Sequence, residues 1–195
     1  MKKLLVLLFI LACTTPAFAQ RVLIRHNQNI NTDRILIVYY SPEDYVQKIA
    51  QTIHDKTDGD LFEIMTRHNP YPDNHELMLE QAAKEFEEGF LPELPLKLGS
   101  MERYDVIFIG APVWNGHLPP AVSSFLRDYN LKGKMVIPFF SFDDDSDSTI
   151  IAELATQCKG CILQEQGFVT RQDDLTGLDG WLENIDFELE TEEEN

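Results

Sequence analysis

Apolar and polar positions alternate along this chain in two distinct ways. Four short runs are nearly continuous in apolar residues: 35–40, 60–65, 104–110 and 134–140. Runs of this kind are typical of strands that are buried on both faces of a sheet. After the first run the apolar residues recur with helical spacing, at Val46, Ile49, Ala50 and Ile53. This stripe predicts a helix over residues 43–56, with one face against the sheet.

The same alternation continues to the end of the chain. One helix is predicted over residues 74–88, and a second begins at Pro119 or Pro120, where proline fits the first turn. A third helix is predicted after the loop 141–148 and ends at residue 157. A last strand is predicted within 161–169, and a final helix follows that Gly177 and Gly180 weaken. Strand and helix that alternate five times predict an α/β, doubly wound parallel sheet with helices on both faces. Such sheets bind ligands at the carboxyl ends of their strands, so loops 41–46, 111–118 and 141–148 are the candidate site.

The chain divides into a leader, a domain and a tail. Residues 1–19 have a basic start, an apolar run and an Ala-Phe-Ala site, which predicts a secretory signal peptide cleaved after Ala19. The apolar run is short for a membrane anchor, and Cys13 leaves lipoprotein processing as an alternative. A polar leader (20–33), one domain (34–187) and an acidic tail (188–195) follow. A periplasmic or secreted protein without a membrane span after signal removal is expected.

Charge and cysteine content narrow the possible partners. The formal net charge of -17 excludes nucleic acid and anionic lipid as natural partners, and suits cations or solubility. Cys158 and Cys161 remain after signal removal, in the order CKGC. They follow a helix instead of preceding one, which disfavours a redox-active pair and leaves a structural disulfide or two free thiols. The sequence does not determine the oligomeric state.

Four segments carry a resemblance to a known family: ILIVYYS at 35–41, DLFEI at 60–64 with PYP at 70–72, YDVIFIGAPVWNGHLPPAVSSFL at 104–126 and LKGKMVIPF at 131–139. In these segments the chain resembles the flavodoxins, over roughly residues 34–185. The resemblance implies a five-stranded sheet in the order 2-1-3-4-5. It also implies FMN binding, with electron transfer to a redox partner protein or reduction of a quinone.

The resemblance further implies which residues meet the cofactor. In the family, the loop after the third strand surrounds the edge and face of the isoalloxazine ring, and the loop after the first strand holds the phosphate. The positions of this chain that correspond are Ser41, Pro112, Val113, Trp114, Asn115, Gly116, His117 and Leu118. Trp114 could stack on a flat ligand or fill the cleft itself, and His117 could donate to a carbonyl or ligate a metal.

The first loop departs from the family pattern, Ser/Thr-x-Thr-Gly-x-Thr. Here SPEDYV keeps Ser41 but places Glu43 and Asp44 where the family has Thr and Gly. A phosphate and a carboxylate about 5 Å apart repel by roughly 3 kcal/mol at an effective dielectric near 20. The alternative is a helix start, with Ser41 as N-cap and Pro42 in the first turn, where the acids occupy the position of the phosphate.

An acidic loop lies at the same edge of the predicted sheet. Asp143, Asp145 and Asp147 alternate as in calcium loops, so a Ca²⁺ or Mg²⁺ site is an alternative to flavin. The loop lacks the glycine and the distal Glu of a calcium loop, which favours a solvated loop. Two functions therefore compete: an FMN-dependent oxidoreductase or electron carrier, and a flavin-free extracytoplasmic binding module that uses this acidic edge for a cation or a protein.

Overall fold

The structure is a computed structural model that describes residues 34–67, 71–142, 149–172 and 174–185. The strands are β1 (Ile35–Tyr39), β2 (Asp60–Glu63), β3 (Val106–Val113), β4 (Met135–Phe142), β5 (Ile162–Leu163) and β6 (Phe168–Arg171). The helices are α1 (Tyr45–Thr57), α2 (His75–Glu87), α3 (Pro120–Asp128), α4 (Thr149–Gln157) and α5 (Leu178–Glu183). The predicted signal peptide, polar leader and acidic tail lie outside the described residues.

All strand pairs of the single sheet are parallel. The order is β2-β1-β3-β4-β5, and β6 also pairs with β4. The predicted doubly wound sheet and its order are therefore confirmed. The chain leaves β1 towards one edge and returns through β2 and α2 to the other side of β1. This reversal places the carboxyl ends of β1 and β3 side by side, where such folds bind ligands.

The last strand, predicted as one, is interrupted. β5 pairs with Met135 and Val136 at the start of β4, and β6 pairs with Phe139 to Phe142 at its end. Gln164 N–H donates to Val136 O, so the backbone N–H and C=O of Val136 face the side of β4 on which β5 and β6 lie. The backbone of Pro138, two residues further along β4, faces the same side, but proline has no N–H to donate. The ladder therefore breaks beside Pro138, and the edge strand becomes two short pieces.

Alternating side chains of β1, β3 and β4 form two cores, one on each face of the sheet. One face packs against α1 and α5, and its members include Ile37, Ile49, Ile53, Phe108, Ile137 and Phe139. The other packs against α2, α3 and α4, and its members include Leu36, Ile107, Phe125, Phe140 and Leu154. The stripe predicted for α1 is buried as expected. Among the described helices, none has the length and apolar character needed to cross a membrane.

Candidate functional site

The turn from β1 to α1 begins its helix later than predicted. Ser41 is not the N-cap and Pro42 is not in the first helical turn, because α1 starts at Tyr45 with Asp44 before it. The Ser41 hydroxyl instead accepts the backbone N–H of Gln47, at 3.0 Å. Ser41 thus satisfies one of the N–H groups that the first turn of a helix leaves unpaired. Ser41 therefore does bind the start of α1, but through a residue six positions later in the chain.

Asp44 has a left-handed backbone, with φ of 62°. Glycine adopts this conformation most easily, and Asp is among the residues that tolerate it. The turn therefore has a left-handed residue at the position where the family pattern has glycine. The Asp44 side chain is exposed and makes no capping hydrogen bond.

Glu43 is held away from the end of α1. Its Oε1 lies 3.2 Å from Nδ1 of His75, the first residue of α2. Both side chains are about one-third to two-fifths exposed, so this is a partly solvated pair whose strength stays modest. Of the two acids predicted to lie at the positive end of the α1 dipole, Asp44 occupies the N-cap position without a side-chain hydrogen bond, whereas Glu43 pairs with His75 instead.

Ser41 meets Pro112 and Ser141 at the carboxyl ends of β1, β3 and β4. Together with the turn 42–46 they line a crevice of about 10 Å³. That volume is close to the minimum for a single water molecule. Ser41 and Pro112, two of the predicted cofactor residues, therefore line the same crevice.

The remaining predicted residues form a tight hairpin after β3. Trp114 and His117 pair as an antiparallel bridge, with N···O distances of 3.1 and 2.9 Å. Asn115 and Gly116 between them have φ of 52° and 80°. Positive φ at both central residues is the pattern of a two-residue type I′ turn, for which Asn-Gly is the preferred sequence. The Asn115 amide donates to Leu79 O, which ties the tip to α2.

Trp114 is buried, with 2% of its surface exposed. Its ring makes edge contacts with Tyr71, at 4.9 Å between centroids, and with Tyr40, at 5.8 Å. The sequence left two interpretations of Trp114 open, and in the structure the indole fills the cleft itself. Among the described residues, Trp114 Nε1 is the only buried side-chain nitrogen or oxygen without a hydrogen-bond partner.

His117 points towards α2 and α4. Its Nδ1 lies 3.1 Å from Oε2 of Glu153, and its ring stacks on Phe86 with 3.6 Å between centroids. The other oxygen of Glu153 accepts the backbone N–H of Leu118 at 3.3 Å. Because an ionised carboxylate only accepts, the hydrogen of a neutral His117 belongs on Nδ1. The imidazole is thus fixed in orientation by its neighbours.

Sequence reasoning missed the part that α2 plays. This helix supplies His75 to the first loop and Phe86 to the hairpin, and its Glu85 accepts from the Tyr71 hydroxyl at 2.6 Å. Burial, followed by the bond to Glu85, raises the pKa of Tyr71 well above its ordinary value. The aromatic residue at 71 and the polar residues of α2 were the available signal, but nothing local says which loops they meet.

Two further expectations concern metal and cysteine. Asp143, Asp145 and Asp147 lie outside the described residues, and within the described part no cluster of His, Cys, Asp and Glu has metal-binding geometry. Cys158 and Cys161 are joined by a disulfide, with Cα atoms 5.8 Å apart, immediately after α4. Of the alternatives for these cysteines, the structure has the disulfide.

Comparison with known proteins agrees with the fold. The model of the flavodoxin family matches residues 34–185, so the chain belongs to the flavodoxin family. Among functionally curated proteins, none is significantly similar in sequence.

Solved structures show the same fold. A candidate flavoprotein from Bacteroides uniformis is 25% identical, with a TM-score of 0.68, over 76% of this chain and 97% of that one. A flavoprotein in complex with FMN from Lactobacillus acidophilus is 24% identical, with a TM-score of 0.64, over 77% of this chain and 99% of that one. The apo-form of the flavoprotein from Lactobacillus acidophilus is 22% identical, with a TM-score of 0.58.

Proposed function

We propose that this protein binds FMN at the carboxyl ends of β1, β3 and β4 and carries electrons with it. The observation that carries the proposal is the β1–α1 turn. It combines a hydroxyl at Ser41, the N-terminus of α1 and a left-handed residue in the family's glycine position. The likeness to the flavoprotein from Lactobacillus acidophilus solved with FMN supports the same cofactor.

The residues of the turn offer hydrogen-bond donors to the phosphate of FMN. The donors are the Ser41 hydroxyl and the N–H groups at the start of α1, where the helix dipole favours an anion. The two carboxylates oppose binding less than the sequence implies, because Glu43 pairs with His75 and Asp44 is exposed. The crevice of about 10 Å³ is smaller than a phosphate, so the turn must move outward as the ligand enters.

The ring is proposed to lie beside Pro112 and the tip of the hairpin, at Asn115 and Gly116. Trp114 cannot stack on the flavin in its observed position, because Tyr40 and Tyr71 cover it. Instead it supports the hairpin from beneath. FMN, when bound, supplies reversible one- and two-electron chemistry. The chain positions the ring and limits its contact with water.

The partner of this electron carrier is proposed to be a basic redox protein or a quinone. The net charge of -17 attracts a cationic protein surface over several ångströms and accelerates encounter at low salt. Export through the signal peptide at 1–19 places this reaction in the periplasm or outside the cell.

The test is the visible absorption of the purified protein, before and after addition of excess FMN and gel filtration. A flavin spectrum that co-elutes with the protein, and FMN released on denaturation, are expected. A reductive titration of the complex then gives its potential. A parallel titration with riboflavin measures what the phosphate contributes to affinity.

A colourless protein that does not retain FMN contradicts the proposal. The narrow crevice and the buried Trp114 favour the flavin-free binding module in that case. Calorimetry with Ca²⁺ and Mg²⁺ is then the next measurement, because Asp143, Asp145 and Asp147 are the candidate ligands.

A further inference from the structure

The hairpin after β3 is open at its tip and held by contacts of its side chains. A Cβ on Gly116, at the tip, would meet nothing within 4 Å, so the backbone there borders open space. The side chains of Asn115 and His117, on either side of it, bind α2 and α4. A ligand can therefore approach the peptide groups of the tip, and the contacts to the helices decide where those groups stand.

Glu153 of α4 binds two successive residues on the returning side of the hairpin. Its Oε2 accepts from Nδ1–H of His117 at 3.1 Å, and its Oε1 accepts the backbone N–H of Leu118 at 3.3 Å. Gln157, one turn later on α4, donates from Nε2 to the same Oε1 at 3.2 Å. One carboxylate therefore holds both hairpin residues, and its own position is fixed from its helix.

The burial of Glu153 makes these hydrogen bonds selective. Its side chain is only 19% exposed. A carboxylate that leaves water loses hydration, and this loss is offset only where hydrogen-bond donors replace the water. Any arrangement that moves the hairpin away from α4 removes two of the three donors. The contact therefore favours one position of the hairpin over its alternatives.

The hairpin needs such a restraint because it is very short. An isolated bridge between Trp114 and His117 closes it, and a hairpin alone is marginally stable in water. Burial of Trp114 fixes the outgoing side, and the hydrogen bonds to Glu153 fix the returning side. This second restraint is long-range, since Glu153 lies 36 positions after His117.

We propose that Glu153 is a positioning residue of the flavin site. It acts through His117 and Leu118, and it touches neither the ring nor the phosphate. By holding the hairpin in one conformation, it spares the ligand the cost of ordering the tip and so raises affinity for the ring. This inference rests on the proposed function, in which the ring lies at Asn115 and Gly116.

The first test uses the full chain without flavin. Hydrogen exchange, followed by NMR, is measured at the amides of Trp114 and His117, which bond to each other across the hairpin. Glu153→Ala removes both restraints, and these amides should exchange about five- to hundredfold faster. His117→Phe keeps a ring beside Phe86 and removes one restraint, so a rise of about two- to tenfold is expected at Trp114. This milder variant decides if Glu153→Ala does not fold.

Glu153→Gln separates the hydrogen bonds from overall packing. The glutamine carbonyl can still accept from Leu118 N–H, and its NH₂ can donate to Nδ1 of His117 once the hydrogen of the imidazole has moved to Nε2. Exchange near the parent rate is expected, together with a change in the ¹⁵N chemical shifts of His117 that reports the other tautomer. A residue that only filled space would leave the tautomer unchanged.

The second test compares FMN with riboflavin, which has the ring but no phosphate. Glu153→Ala should weaken the binding of both by the same factor, about two- to tenfold, because both ligands share the ring. Ser41→Ala should weaken FMN alone, since Ser41 is proposed to bind the phosphate. Glu183→Ala is the matched control: it removes an exposed glutamate of α5, on the opposite face of the sheet, and both affinities should stay unchanged.

Three results overturn the role of Glu153. They are unchanged exchange in Glu153→Ala, exchange in Glu153→Gln as fast as in Glu153→Ala, and flavin affinities of Glu153→Ala equal to those of the parent. A parent chain that binds neither flavin contradicts the proposed function and this inference together. A parent that binds both, with a Glu153→Ala protein that binds them equally well, contradicts this inference alone.

Discussion

At the scale of single residues, backbone conformation matters as much as side-chain chemistry. Asp44 and Asp58 bracket α1, and both have a left-handed backbone, with φ of 62° and 54°. Glycine would adopt this conformation without a Cβ clash. Only Asp44 lies at the carboxyl edge of the sheet, near the proposed phosphate site. Substitution of each Asp by Gly therefore separates the effect of backbone conformation on stability from the effect of charge on FMN affinity.

We predict that Asp44→Gly strengthens FMN binding about two- to fivefold, because it removes one exposed charge near the phosphate. Asp58→Gly is the control and should leave affinity unchanged. Both variants should be as stable as the parent or up to about 1 kcal/mol more stable. FMN fluorescence titration measures the affinity, and urea unfolding measures the stability. An equal gain in affinity from both variants would contradict this account of Asp44.

Gly110 shows the opposite case, in which space and not backbone conformation requires glycine. A Cβ at Gly110 would lie 2.0 Å from the ring of Phe139, its partner on β4. We predict that Gly110→Ala lowers the free energy of unfolding by about 1–3 kcal/mol or more, because the ring cannot move in a packed core.

Gly180 in α5 is the control for Gly110. A Cβ there meets nothing within 4 Å. Gly180→Ala should therefore stabilise the protein by about 0.5–1 kcal/mol through helix propensity alone. Urea unfolding shows whether each substitution lowers or raises the free energy of unfolding. Destabilisation of similar size in both variants would refute the packing argument.

At the scale of elements, α2 organises the candidate sites. Its first residue, His75, meets Glu43 of the first loop, and its last turn brings Phe86 onto His117. The helix also forms one wall of a cleft of about 280 Å³ beside the hairpin 114–117. Its placement therefore affects both loops of the proposed flavin site.

The N-cap of α2 gives a test at this scale. The Asn74 side chain accepts the N–H of Leu77 at 3.0 Å. We predict that Asn74→Ala costs about 0.5–2 kcal/mol of stability, because this N–H loses its partner. Asp73→Ala, next to the cap but outside it, should cost less than about 0.5 kcal/mol. Urea midpoints decide, and equal effects of the two substitutions would show that the cap contributes nothing.

At the scale of the whole molecule, four tyrosines connect stability to pH. Burial is the main cause that raises the pKa of Tyr39, Tyr40, Tyr71 and Tyr104 above the ordinary value of 10.0, and for Tyr104 it reaches about 12. The folded protein therefore holds these phenol protons more tightly than the unfolded chain does. As the pH rises past about 10, the unfolded chain releases them first, and folding is disfavoured.

We predict that the free energy of unfolding falls steadily above about pH 10, with no contribution from these groups at lower pH. Tyr71→Phe should make the decline shallower by at most about 1.4 kcal/mol per pH unit, the effect of one proton. Urea midpoints at a series of pH values measure the slope. An unchanged slope in Tyr71→Phe would mean that this phenol does not titrate differently in the two states.

The sequence by itself determined the fold. Continuous apolar runs and the stripe at Val46, Ile49 and Ile53 record which side chains leave water, and this is a local property of each element. Asn115–Gly116 likewise specifies its own turn, since few residues adopt two successive positive φ values. The exact start of α1 escaped this reasoning, because Ser41 bonds Gln47, six positions later, instead of capping the first turn.

Only the tertiary structure decided how the sites are built. Glu43 meets His75 across 32 positions and His117 meets Glu153 across 36, and no periodicity encodes such pairs. The predicted cofactor residues were divided in the same way, with Ser41 and Pro112 at one crevice and Trp114 and His117 at another cleft. The physical reason is that burial follows from each residue's own element, whereas a polar side chain finds its partner only when distant elements have packed together.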